Sequence, residues 1–381
     1  MIPCQRELFD IPDGINYLNC AYMSPLLRSA VEAGMAGVAR KARPWEITQD
    51  DFFSQSEELR SAAARLFQCS ASDIAIVPSA SFGVSTAALN LTVERGQKVL
   101  LLDEQFPSNV YPWRRLVEKS GSQIVTVRWP DDHDWTSAVL REIDDRVAIA
   151  ALPHTHWTSG GLLDLEKIGD ACRRHGTALV LDLTQSLGAY PIDVQRVQPD
   201  FAVAAAYKWL LSPYSTGVMY VSPKRQRGLP LEENWILRDN SLDFSSLIVY
   251  SDGYHAGARR FDMGERSNFG LIPAVICALG QILTWSVDEI SQAIGRLTRK
   301  LIDDTRQLGL VAPPDCLRAP HYLCLRSSVP LPKNLTNELA AEGIYISVRG
   351  ASLRITPHVY NSEKDVEQLV GMLQKTLSKT T

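Results

Sequence analysis

No block of like charge runs along this chain: 39 lysines and arginines are interspersed with 43 aspartates and glutamates, for a formal net charge of −4. That balance offers neither a basic stripe for a nucleic-acid backbone nor a polybasic membrane surface. No apolar run approaches the roughly 18 residues of a membrane-spanning helix. The opening "MIPCQRELFDIPDG" is polar and broken by proline, unlike a secretory leader. Cys4, Cys20, Cys69, Cys172, Cys277, Cys316 and Cys324 make no Cys-x-x-Cys pair. An odd, scattered set of this kind reads as reduced thiols in a cytoplasmic protein. Internal repeats and low-complexity segments are missing too. So is the G-x-G-x-x-G that a nicotinamide enzyme would carry after its first strand.

What is there is a core and an alternation. The 381 residues are 45% hydrophobic, enough for one large core and a smaller second domain. Short apolar strands are predicted at 73–77, 98–103, 124–129, 147–152, 178–183, 201–206 and 217–222, with helices at 50–68, 82–96, 111–121 and 164–176. Apolar strands separated by helices imply an α/β fold, a mainly parallel seven-stranded sheet sandwiched by helices. From about residue 223 the alternation weakens. Helix over 270–310, two strand regions and a C-terminal helix from Ser362 suggest a smaller α+β unit. The expected division is an N-terminal arm at 1–20, a large domain at 21–260 and a small domain at 261–381, with the boundary falling within 225–275.

Ligands of such sheets sit outside the carboxyl ends of the strands. The residues just past those ends include Ser79-Ala80-Ser81, Phe106, His154, Asp182 with Gln185, and Tyr207-Lys208. A small-residue turn opening a helix can hold a phosphate on its free N–H groups. An acid can hold a protonated ring nitrogen, an aromatic can cover a flat ring, and a desolvated lysine can lose its charge and attack an aldehyde. Pyridoxal phosphate needs these four together. Two other patterns are weaker. Gly83-Val84-Ser85-Thr86-Ala87 approximates a nucleophile elbow, but Ser85 falls inside a helix instead of on the strand-to-helix turn. His154-Thr155-His156 has no third ligand at a recognisable spacing, so no metal is expected.

The segment "LDLTQSLGAYPIDVQRVQPDFAVAAAYKWLLSPYSTGVMYVSP" resembles the signature of class V aminotransferases, fold-type I pyridoxal phosphate enzymes. "INYLNCAYMSPL" is similar to the family's opening segment and "GIYISVRGASLRITPHVYNSEKDVEQL" to its C-terminal carboxylate-binding segment. "EQFPSNVYPW" and "YKWL" are similar to the kynureninase and isopenicillin N epimerase-like branch. The resemblance implies a homodimer acting at the Cα of an amino-acid substrate, by transamination, C–S or C–C cleavage, or epimerisation. It implies Lys208 as the Schiff-base lysine and then acid/base, Asp182 for the ring nitrogen, Gln185 for the phenolic oxygen and Phe106 stacked on the ring. Ala80, Ser81 and Tyr207 would meet the phosphate, and Arg354 the substrate carboxylate, with His154 and Tyr22 on the substrate side. Ser267 and Asn268, in "GERSN", stand where the family has Gly-Thr making a phosphate contact across the dimer. Ser215-Thr216-Gly217 replaces its Gly-x-Gly, which suggests a looser turn. No cysteine lies in 344–354, so persulfide transfer as in cysteine desulfurases is not expected. The alternative to an enzyme is a divergent cofactor-binding or regulatory protein, whose expected mark is loss of Lys208, Asp182 or Arg354.

Overall fold

The computed structural model describes residues 2–327 and 330–377. The apolar runs form one seven-stranded sheet: β1 (Ile74–Val77), β2 (Lys98–Leu102), β3 (Gln123–Val127), β4 (Val147–Pro153), β5 (Ala178–Asp182), β6 (Phe201–Ala205) and β7 (Gly217–Val221). Their spatial order is β1-β7-β6-β5-β4-β2-β3. Neighbours pair in parallel except for β7, which is antiparallel to both β1 and β6. Strands β1, β2, β5, β6 and β7 are buried along their whole length, because helices cover both faces and either side of the pleat must be apolar.

The helix expected at 82–96 is Ala80–Asn90. Ser79 caps it, its hydroxyl accepting the Phe82 N–H at 3.2 Å. It stops early because the Asn90 side chain donates back to the Thr86 carbonyl and accepts the Leu229 N–H. Leu91 and Val93 then run into the core in extended chain. Gly96, with φ of +88°, serves the turn into β2 instead of the helix end. Helices Arg28–Arg40 and Trp135–Glu142 were not anticipated.

The second unit is a four-stranded antiparallel sheet of β8 (Leu310–Val311), β9 (Leu323–Ser327), β10 (Ser347–Arg349) and β11 (Ser352–Ile355), in the order β10-β11-β9-β8. Leu323, Leu325, Leu353 and Ile355 pack with Leu301, Val366 and Leu369 from helices Val287–Thr305 and Glu363–Leu377. Strand alternation leaves Cys324 and its cross-strand partner Arg354 off that cluster, and Cys324 joins the core of the large unit instead. Asn16–Tyr17 pairs in parallel with Ile344–Tyr345, so the N-terminal arm is stitched to the small unit. Helix Leu271–Trp285 packs against helices Arg28–Arg40 and Ser54–Phe67 of the large unit. No single helix among the described residues is long and apolar enough to cross a membrane.

The helix Ala80–Asn90 lies close to the sheet at Gly83, where an added Cβ would sit 2.6 Å from Val203 Cγ2 and 3.2 Å from Met219 Sδ. Gly83→Ala gains about 1 kcal/mol of helix propensity but overpacks this contact at a cost of about 1–3 kcal/mol. A net loss in denaturant-unfolding stability is expected, and a stabilised variant would show that the contact yields freely.

Candidate active site

Lys208 lies two residues beyond the Ala206 N–H that bonds back to Thr216, in the turn leaving β6. Its side chain is buried, and its ammonium has no hydrogen bond or ion pair among the described residues. The Nζ stands 5.5 Å from the ring centre of Phe106 and 5.4 Å from that of Tyr207. Burial draws its pKa down to about 8, opposed by Asp182 and helped by the charges of Arg354 and Arg349. Asp182, the last residue of β5, is likewise buried. Desolvation raises its pKa, against a hydrogen bond at 3.0 Å from the Thr184 N–H and the charge of Lys208. Lysine and acid are thus both held away from their solution ionisation, as a site awaiting a polar ring requires.

These two groups open into a cavity of about 390 Å³, lined also by Ser79, Ala80, Ser81, Phe106, Gln185 and Tyr207. At one end the Ala80 and Ser81 N–H groups, in the first turn of their helix, have no acceptor among the described residues, and Ser79 Oγ and Ser81 Oγ are 2.8 Å apart. That is an anion cradle. Gln185 is fixed by Trp209 Nε1 on its Oε1 (2.9 Å) and by its own Nε2 on the Ala21 carbonyl (3.3 Å), leaving one amide hydrogen for a ligand. Ser215 takes the left-handed conformation with φ of +65°, the backbone that glycine would adopt more easily at the first position of Gly-x-Gly. The turn therefore keeps the tight path that its sequence had put in question.

Arg354, in β11, is buried with its Nη1 3.3 Å from Tyr322 Oη and its Nη2 3.3 Å from Ser347 Oγ, and its Nε has no partner. No carboxylate lies within ion-pair distance among the described residues. A buried guanidinium held by two neutral hydroxyls is poised for an anion. Trp157, which the sequence placed on the substrate side, also lines the cavity, together with Tyr214, Ser108 and Thr155, which it did not single out. Trp157 stands edge-on to Phe106 at 5.4 Å and donates to the Glu104 carbonyl at 2.6 Å.

Five expected residues are outside that lining, the buried Arg354 among them. His154 does not face the cavity: Pro153 and Thr155 do, and the alternation of the extended chain turns His154 to the far side against Tyr190. There burial, then His321, holds its pKa at about 3, so it is a neutral packing residue. Tyr22 is 58% exposed and outside the lining. Ser267 Oγ donates to the Phe52 carbonyl, and Asn268 Oδ1 accepts the Gly270 and Leu271 N–H groups at the start of helix Leu271–Trp285. Both line a separate cavity with Val38 and Trp235, so within one chain neither meets the phosphate cradle. His156 is tied to Asp103 O and Ser159 and stacked on Trp135, a structural placement.

A buried lysine, a buried acid, an anion cradle and an aromatic wall at the carboxyl ends of a parallel sheet define a fold-type I pyridoxal phosphate site. The chain belongs to the aminotransferase class-V family, which matches residues 36–369, and is a pyridoxal-phosphate-dependent enzyme of the aminotransferase and lyase kind. It is 24% identical to isopenicillin N epimerase of Streptomyces clavuligerus, over 97% of this chain and 96% of that one. Kynureninase of Shouchella clausii (strain KSM-K16) is 23% identical, over 92% and 82% respectively. The fold matches the apo cysteine desulfurase from Thermococcus onnurineus NA1 with a TM-score of 0.87 at 19% identity, covering 100% and 99%.

The isolated lysine has a measurable cost. In the cofactor-free protein, Lys208→Met is expected to raise stability near pH 7 by up to about 3 kcal/mol. The unfolded lysine titrates near 10.5 and the folded one near 8, so between them the unfolded wild type binds more protons and wild-type stability rises with pH. The variant's advantage should therefore shrink across pH 8 to 10.5 in denaturation curves. A gain that is flat with pH would show that Lys208 is not desolvated.

Proposed function

We propose that the chain binds pyridoxal phosphate with its phosphate on Ala80 and Ser81, its ring against Phe106 and its ring nitrogen at Asp182, and moves the Cα proton of an amino-acid substrate. The observation that carries this reading is the meeting of buried Lys208 and Asp182 with the Ala80–Ser81 cradle and Phe106 on one cavity, with the buried Arg354 near enough for its charge to bear on Lys208. When bound, the cofactor supplies an aldehyde for the amino group and a ring that draws electrons from Cα. Arg354 takes the α-carboxylate on its free Nε and Nη edge, which fixes the substrate's orientation. Lys208, with its pKa near 8, can hold or release a proton at working pH and so exchange it with Cα. Asp182 sits where its charge would keep the ring nitrogen protonated, and the ring cation would in turn stabilise that charge. Gln185 offers its remaining N–H to the phenolic oxygen. The position to which Lys208 returned the proton would decide between epimerisation and amino-group transfer, and a leaving group at the substrate's β or γ carbon would allow a lyase reaction instead. The preference for this range over persulfide chemistry rests on the cysteines, since the relatives include cysteine desulfurases as well as a kynureninase and an epimerase.

Two observations support a reading without a cysteine nucleophile. Burial pushes the Cys324 thiol up to about 12, and Cys316 lines a different face beside Tyr190 and Asp164. A divergent, non-catalytic protein is less well supported, because Lys208, Asp182 and Arg354 are all present and the first two share one cavity. The reading includes a homodimer, supported by the exposed apolar side chains Met35, Val38, Ile248, Val249 and Tyr250. In it, Ser267 and Asn268 would serve the partner's phosphate.

The wild type, incubated with pyridoxal phosphate and dialysed, should keep a yellow absorption band that Lys208→Ala lacks. Arg354→Ala should keep the band and weaken amino-acid binding roughly 100-fold or more. A colourless wild type would overturn the cofactor reading; unchanged amino-acid affinity in Arg354→Ala would remove that arginine from the site.

A further inference from the structure

Arg354 is not the lone unpaired guanidinium on the substrate side. Arg349 ends β10, and Ser347 and Arg349 of that strand face Arg354 and Ser352 of β11. Its guanidinium lies 5.9 Å from the ring centre of Trp157, a wall of the cofactor cavity. Its recorded hydrogen bond is from Nη1 to the Val348 carbonyl beside it at 2.8 Å, and no carboxylate lies within ion-pair distance among the described residues. Arg349 also lines a second cavity of about 700 Å³ that begins where the first ends, across the Glu104–Gln105 and Trp157–Thr158 junctions. Arg349 and Arg354 repel each other, and both bear on Lys208. An α-carboxylate held by Arg354 would leave Arg349, beside Trp157, still without a counter-ion.

We infer that Arg349 receives a second carboxylate, so that the preferred substrate is an amino acid with an acidic side chain. This inference rests on the proposed function, because it takes Arg354 as the α-carboxylate site. The outer cavity sets the reach of that side chain. Its opposite wall carries Asp103 and Glu104, with Glu104 Oε2 accepting from Thr158 Oγ1 at 2.9 Å and Asp103 Oδ1 accepting the Glu104 N–H at 3.1 Å. An anion that travelled past Arg349 would meet those carboxylates. One that stops at Trp157 meets the guanidinium alone, which favours a short acidic side chain over a long one. Arg326 lies farther out on the same small-unit wall, exposed, and is not needed to bind it.

The test uses the full-length protein loaded with pyridoxal phosphate and reads binding by titration calorimetry. The probes are the unreactive dicarboxylates succinate and glutarate, set against the monocarboxylates butyrate and valerate. Wild type should bind the dicarboxylates at least about 10-fold more tightly. Arg349→Ala should remove that preference while leaving monocarboxylate affinity within about 2-fold, and Arg326→Ala should leave both unchanged. Arg354→Ala should weaken all four probes. Equal affinities in wild type would overturn the inference, and so would an Arg349→Ala variant that weakens both classes alike, since Arg349 would then belong to the α-carboxylate clamp. Failure of the underlying reading looks different: no yellow band in wild type, or an Arg354→Ala variant that binds every probe as before. Retention of the band and of monocarboxylate affinity by Arg349→Ala shows that the variant has folded.

Discussion

The structure depends on removing one ammonium from water without giving it a partner. Lys208 sits at the end of a strand whose other residues are alanine, valine and phenylalanine, and that strand is buried on both faces of the sheet. Asp182 comes from the adjacent parallel strand, with Asp182 paired to Val203 in register, so the two groups project from the same carboxyl edge. Parallel pairing is what brings them there. An antiparallel neighbour would have put its own end at the opposite edge of the sheet. The antiparallel β7 lies on the other side of β6, and contributes the Ser215 turn that closes over Lys208 rather than a strand-end side chain.

The large unit was legible because its strands are apolar on both faces and short, a pattern that survives without tertiary information. Lys208, Asp182, Ala80, Ser81, Phe106, Gln185 and Tyr207 all line one cavity, as their positions past strand ends and the family resemblance implied. His154 failed for a reason of parity. The rule that ligands gather at strand ends does not say which of two successive residues faces the site, and Pro153 and Thr155 took that side. Helix Arg28–Arg40 was missed because Val31, Met35 and Val38 are exposed in the single chain, which blurs the inward-facing stripe that betrays a surface helix. Arg349 went unremarked because its meaning lies in an absence, the lack of an acid nearby, and spacing along a chain cannot show that.

The likeness to a cysteine desulfurase and the absence of a cysteine in 344–354 fit together once the hairpin is in view. In this chain β10 and β11 are joined by Gly350 and Ala351 alone, with Gly350 at φ +55°. Such a short connection has no room for a loop carrying a mobile nucleophile. It also places Arg349 and Arg354 on adjacent strands, so the turn that leaves no room for such a loop keeps two guanidinium groups close together.

What surrounds the site reinforces the charge argument. Behind Gln185 stand Tyr190, His321, Trp209, His358 and Tyr360 in successive ring contacts, with His321 Nε2 2.6 Å from the Gln185 carbonyl. The titratable rings of this layer, and His154 packed on Tyr190, could have carried charge into the site, but burial holds His154 and His358 at about 3 and His321 at about 4, and raises Tyr190 and Tyr360 above their ordinary value. All therefore stay neutral at working pH. The layer behind the cavity is polar enough to orient Gln185 and too weakly charged to screen Lys208, Asp182, Arg349 and Arg354 from one another. Charge near the cavity thus comes from Lys208 and Asp182 in its lining and from Arg349 and Arg354 close by, the same four groups whose charges act on one another.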